Sequence, residues 1–222
     1  MGPAIRQLVA LLLALWLGAA WSAEEPTRLL ILGDSLSAGL GLPEDQSFPS
    51  RLGAALEAKG HTVTIINAGV SGDTSAGGRA RLEWVLADNP DAVILALGAN
   101  DGLRGIDPAE TRKNLAAILD TLREQGLPVL ILGMLAPPNL GKDYGEDFNA
   151  IYPKLAEEYQ ALLYPFMLEG VAANPALNQT DGIHPNEAGV AVIVENIAPL
   201  AEQLLERVAH QGPQTSSTSS RR

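Results

Sequence analysis

Along the chain, short uninterrupted apolar runs alternate with longer stretches in which apolar residues recur at every third or fourth position. A run without polar alternation is what a strand buried on both faces requires, and the intervening spacing is that of helices burying one side. "RLLILG" (28–33), "TVTIINAG" (62–69), "DAVILALG" (91–98) and "LPVLILGML" (127–135) predict four strands, and "LLYPFML" (162–168) a less marked fifth. Helices are predicted to begin near Ser47, near Thr74, at Pro108, near Tyr144 and near Asn186. The third is the best delimited: Asp107-Pro108 is a start signal and Gly126 before Leu127-Pro128 a stop, while Leu115, Ile118, Leu119 and Leu122 fall at i, i+3, i+4 and i+7 on one face. Strands alternating with helices, with no internal repeat, predict one α/β domain built on a parallel sheet covered on both faces.

The two ends break this pattern. "LVALLLALWLG" is an apolar run that follows Arg6 and precedes small residues, and it is shorter than the roughly 20 residues a membrane span needs. It reads as an export signal cleaved after Ala20, Ser22 or Ala23, against the alternative of an uncleaved anchor. The expected products are a domain over residues 24–208, periplasmic or secreted and without a stable membrane anchor, and a solvated Ser/Thr-rich tail over 209–222.

Composition narrows the function further. With 46% hydrophobic and 18% charged residues the chain is neither disordered nor polytopic. Fifteen Lys and Arg against 26 Asp and Glu give a net charge of −11, with the basic residues scattered, which excludes the clustered cations that hold a phosphate backbone. Nucleic acid is not expected as a partner. The absence of cysteine removes disulfides, thiolate metal sites, lipoprotein attachment and a cysteine nucleophile.

In a parallel sheet the functional loops lie at the carboxyl ends of the strands. Here the loops after the first three strands read "GDSLS", "GVSGDTS" and "GANDG", each polar and glycine-bearing, on one common edge. Of three histidines, His61 lies in a turn and His210 in the expected tail, so both read as solvated. His184 stands three residues after Asp181 in "DGIHP", a spacing at which the carboxylate can fix the imidazole tautomer and leave Nε2 to accept a proton. That pair alone fits an aspartate cap beside a surface histidine equally well. A hydroxyl needs such a base to become a nucleophile, and Ser35, just past the first strand, is the candidate. Ser37 reads as a cap, Asp34 and Asp101 as carboxylates that hold their turns, and Ser71 fails the G-x-S-x-G pattern because Asp73 stands at its fifth position.

Taken in order, "LGDSLSAG" (32–39), "NAGVSGDTS" (67–75), "GANDGLRG" (98–105) and "DGIHPN" (181–186) resemble the sequence blocks of the GDSL or SGNH hydrolases, in their secreted thioesterase, lysophospholipase and arylesterase branch. Similarity around "AIYPKLAEEY" (150–159) extends the match over residues 28 to about 206. The resemblance implies a three-layer α/β/α fold with a five-stranded, flavodoxin-like parallel sheet. It implies Ser35 as nucleophile, His184 as base and Asp181 as its orienting partner, with the oxyanion held by the Ser35 and Gly72 N–H groups and the Asn100 side chain. Small acyl esters or thioesters are the implied substrates, without cofactor or metal, and the expected state is a monomer. One departure is Ala99, where close relatives carry a second glycine: a positive φ there would strain the placement of Asn100. "MLAPPNLGKDYG" (134–145) fits either an acyl channel or a stiff crossover loop, and "GLRGID" (102–107) a flap hinged at two glycines, its Arg104 either solvated or facing an anionic headgroup. The competing classes are a non-catalytic flavodoxin-like ligand-binding module, against which stands the lack of G-x-G-x-x-G and of a P-loop, and a metal-dependent phosphoesterase, for which one well-placed histidine offers too few ligands.

Overall fold

The computed structural model describes residues 25–211; the expected export signal and residues 212–222 lie outside the described residues. Five parallel strands form one sheet: β1 (Thr27–Gly33), β2 (Val63–Gly69), β3 (Ala92–Ala96), β4 (Val129–Leu132) and β5 (Leu162–Tyr164). Their order is β2-β1-β3-β4-β5, with Gly33 in register with Gly69 on one side and Ala96 on the other. The central strands are buried almost throughout, whereas β2 and β5, at the edges, are only partly so, as their shorter or more polar runs require.

Nine helices connect and cover the strands among the described residues: α1 (Ser35–Ala38), α2 (Phe48–Ala58), α3 (Ser75–Ala80), α4 (Leu82–Leu86), α5 (Ala99–Leu103), α6 (Pro108–Glu124), α7 (Lys142–Asn149), α8 (Ile151–Tyr159) and α9 (Glu187–Gln211). α6 buries the expected face, Leu115, Ile118, Leu119 and Leu122, with Thr111 extending it, and the Asp107 side chain caps it on the Ala109 N–H. α9 is apolar and long enough by composition to cross a membrane, but Val190, Ile193, Ile197, Ala201 and Leu204 bury its stripe in the core of the domain.

The differences from expectation have local causes. The helix expected near Tyr144 is two, α7 and α8, because Pro153 cannot donate the backbone bond that would join them. β3 stops at Ala96 because Gly98, at φ +110°, turns the chain off the sheet, and β5 stops before Pro165. The tail expected from residue 209 is helical through Gln211: Val208 packs on the core and Arg207 donates to the Gln160 carbonyl at 2.8 Å, which holds the last turns.

Candidate active site

The strand order reverses between β1 and β3, and such a switch point opens a crevice at the carboxyl ends of the strands. Ser35 follows β1 and the Gly98–Asn100 segment follows β3, so both lie on that crevice. Asp34 is the N-cap of α1, accepting the Leu36 N–H at 3.0 Å, which sets Ser35 as the first helical residue with its hydroxyl at the sheet edge. The expectation that Ser37 caps is therefore corrected: Ser37 lies inside α1, fully buried, and its hydroxyl has no hydrogen-bond partner among the described residues.

The structure brings Ser35 and His184 together across 149 positions of sequence, with Ser35 Oγ 2.9 Å from His184 Nε2. His184 Nδ1 is 2.6 Å from Asp181 Oδ2, while Asp181 Oδ1 accepts the backbone N–H groups of Ile183 and His184 at 2.9 and 3.0 Å. The carboxylate is thus fixed by its own turn before it touches the ring. These bonds, first the His184 backbone N–H and then its ring, hold the Asp181 carboxyl down at about 2, so it is ionised at any ordinary pH. An ionised acceptor at Nδ1 keeps a proton on that nitrogen and leaves Nε2 free to take one from a hydroxyl.

Gly72 sits at φ +81° in the turn after β2, a conformation that glycine adopts without strain. Neither its N–H nor that of Ser35 donates to a protein acceptor among the described residues. Asn100 lies in α5, and its Nδ2 donates to the Asp73 carbonyl at 2.9 Å and to Asp34 Oδ2 at 3.3 Å. The expected strain at Ala99 does not arise: Gly98 takes the positive φ and Ala99 is an ordinary helical residue.

Beneath these groups a polar layer ties the three loops. Asp101, 1% exposed, accepts the Ser75 N–H at 2.8 Å, the Ser75 hydroxyl, and the Thr111 hydroxyl at 3.2 Å. Arg81 pairs with Asp73 at 2.7 Å and donates to the Gly33 carbonyl at 2.9 Å, bracing the turn of Gly72 against the end of β1. Arg104 is exposed, as the solvated reading expects, and one of its nitrogens donates to the Gly72 carbonyl at 2.7 Å. With Tyr144 donating to the Ile106 carbonyl at 2.8 Å, the expected flap is held at Arg104 and Ile106 in this conformation. Sequence reading missed Arg81 altogether; the available signal was the pair of cations Arg79 and Arg81 close after the GVSGDTS loop in a strongly acidic chain.

Behind Ser35 and His184 a small recess is lined by Leu36, Leu40, Leu42 and Phe48. Leu40, Val70, Leu103, Leu135 and Ile183 are five of the six exposed large hydrophobics among the described residues; Leu103 ends α5 and the other four stand on loops of this edge. From the segment 134–145, Leu135 joins this rim while Met134 is buried. A larger cavity, about 400 Å³, opens at the opposite edge between Pro128, Tyr159, Arg207 and His210. No group of three or more metal-ligating side chains occurs among the described residues.

Residues 31–192 match the GDSL-like lipase/acylhydrolase family. The chain is 44% identical to an arylesterase of Vibrio mimicus over 193 residues, 86% of this chain and 96% of that protein. It is 40% identical to thioesterase 1/protease 1/lysophospholipase L1 of Escherichia coli K12 over 184 residues, 82% of this chain and 87% of that one. The crystal structure of TesA superposes with a TM-score of 0.77 at 43% identity, covering 80% of this chain and 99% of TesA.

Proposed function

Because the chain belongs to the GDSL-like lipase/acylhydrolase family, and is therefore an ester hydrolase, we propose that it cleaves acyl esters and thioesters through an acyl-enzyme on Ser35. The observation that carries the reading is the continuous chain of contacts from Ser35 Oγ through His184 to Asp181. His184 Nε2 takes the hydroxyl proton as Ser35 Oγ attacks the acyl carbon, and Asp181 stabilises the imidazolium that results. The tetrahedral oxyanion is met by the unpaired N–H groups of Ser35 and Gly72 and by Asn100, three donors from neighbouring strand ends. His184 then returns the proton to the leaving alcohol or thiol. Water, activated by the same imidazole, attacks the acyl carbon, the C–Oγ bond breaks, and the carboxylic acid leaves with Ser35 restored.

The same hydroxyl attack serves oxygen and sulfur esters, so the leaving group sets specificity less than the acyl side does. An aliphatic rim around Ser35 supports apolar acyl chains. The export signal expected from the sequence supports a site of action outside the cytoplasm, with carboxylic esters and lysophospholipids as substrates in preference to acyl-CoA. All proposed reacting groups come from one chain, which supports action as a monomer. A fluorophosphonate reagent tests the mechanism: it should stop turnover and leave its mass on the peptide containing Ser35, and a chelator should change nothing. Unlabelled Ser35 with activity lost to the chelator would refute it. Rates across short and long p-nitrophenyl esters, a lysophospholipid and an acyl-CoA would rank the substrates.

A further inference from the structure

Each connection that leaves the carboxyl end of a strand presents one large aliphatic side chain to solvent: Leu40 after β1, Val70 after β2, Leu103 after β3, Leu135 after β4 and Ile183 after β5. All five are between 46% and 53% exposed. The sixth exposed large hydrophobic among the described residues, Trp84, stands on α4 just before Asp88, whose carbonyl takes a bond from Arg28 near the start of β1, at the opposite edge. The rim is held in place by its own backbone. Leu40 N–H donates to the Ser35 carbonyl at 3.2 Å, Ile183 N–H to Asp181 Oδ1 at 2.9 Å, and Ala136 N–H, beside Leu135, to Asn149 Oδ1 at 2.8 Å. Aliphatic groups fixed half-way out into water carry a cost that contact with an apolar phase relieves.

The charges along this rim select the kind of apolar phase. Arg104 and Lys142 are exposed cations, each with an exposed acid in its own segment, Asp107 and Asp143, and exposed Glu44 and Asp45 follow Leu40. An anionic membrane is held by clustered cations, which the rim lacks, and a chain with 26 acidic against 15 basic residues is repelled by it. A zwitterionic phospholipid surface carries its ammonium groups outermost and its phosphates deeper. The short carboxylates of Glu44 and Asp45 complement the first layer, and the long Arg104 side chain the second. A second protein seated on the rim would close the crevice that Ser35 and His184 face, whereas a lipid surface seated there feeds acyl esters into it. We propose that the five-residue rim is a reversible docking surface for zwitterionic phospholipid, with the crevice facing the lipid. The choice of lipid over protein rests on the reading of Ser35 as the reacting group.

The exposed half of these side chains amounts to roughly ten aliphatic carbons, fewer than in a myristoyl chain, which partitions at about 10⁴ M⁻¹, so binding on the order of 10³ M⁻¹ is expected. Sedimentation with vesicles of an ether-linked phosphatidylcholine, which contains no ester to cleave, measures it. About half of the protein should travel with roughly 1 mM accessible lipid, with little change between about 0.1 and about 0.5 M salt. Leu103→Asn combined with Leu135→Asn should weaken binding by about tenfold or more, and Trp84→Asn by less than about twofold. Protein labelled on Ser35 by a fluorophosphonate should bind like the parent. Absence of binding by protein that still labels at Ser35, or equal binding by the double variant, would overturn the docking surface. Release on labelling would overturn it too, assigning the contact to a single acyl chain drawn into the crevice. So would binding confined to phosphatidylglycerol vesicles at low salt, or a parent dimer that the double substitution dissociates. Failure to label Ser35 would instead overturn the reading of the site, whatever the vesicles show.

Discussion

Replacing Asp34 by asparagine should make the protein more stable at neutral pH. Burial is the largest influence on this carboxyl and raises it from 3.8 to about 6, against the lowering effects of the Leu36 N–H, His184 and Asn100. An acid whose pKa is raised on folding is stabilising in its protonated form only: that benefit is complete below the unfolded value near 4 and is lost as pH rises through 6. A shift of about two units at 1.36 kcal/mol each means that the charged form costs the fold about 3 kcal/mol at pH 7 and above. Asparagine carries no charge and caps α1 equally well, but its NH₂ faces that of Asn100, and leaving these buried donors without an acceptor costs about 2 kcal/mol. The net gain of about 1 kcal/mol corresponds to roughly 2–4 °C in melting temperature for a domain of this size. Calorimetric melts of both proteins from pH 4 to 8 would show the gap opening between pH 4 and 6 and constant above. A gap that is independent of pH, or a variant less stable at pH 7.5, would refute the argument that Asp34 is held ionised against its burial.

Gly72→Ala should cost about 1 kcal/mol or more of stability because φ at +81° is strained for alanine, and kcat should fall with it as the N–H turns away. Denaturant melts and steady-state rates check both. Asp181→Asn should lower kcat by about 10⁴, since an amide no longer fixes the imidazole tautomer, without change in the far-UV spectrum. Arg81→Ala strands the half-buried Asp73 carboxylate and the Gly33 carbonyl, and should destabilise by about 2 kcal/mol in urea titrations.

The strands and the proposed reacting groups were visible in the sequence because each is a local signal. Buried β1, β3 and β4 show as apolar runs, and the caps Ser47, Thr74 and Asp107 stand at the helix starts where their hydroxyl or carboxylate is needed. Ser35, Asp181 and His184 were each visible as a residue type with a neighbourhood, and only their meeting across the domain required the fold. What was not legible depends on tertiary partners. Arg81 and Arg104 look like any solvated cation until the chain brings them to the Gly33 and Gly72 carbonyls. Asp34 reads as a turn residue because its bond to Asn100 spans 66 positions. The split between α7 and α8 was in view as Pro153, but the apolar spacing on either side of it continues across the break.

The central claim is that the Ser35 hydroxyl is the nucleophile, and hydrolysis of a p-nitrophenyl ester by Ser35→Ala measures it most directly. With the His184–Asp181 pair and the oxyanion donors left in place, kcat should fall by roughly 10⁴ or more while the melting temperature stays within a degree or two. Retention of more than about 1% of the parent turnover by a homogeneous, folded variant would contradict the account and assign the chemistry to another group.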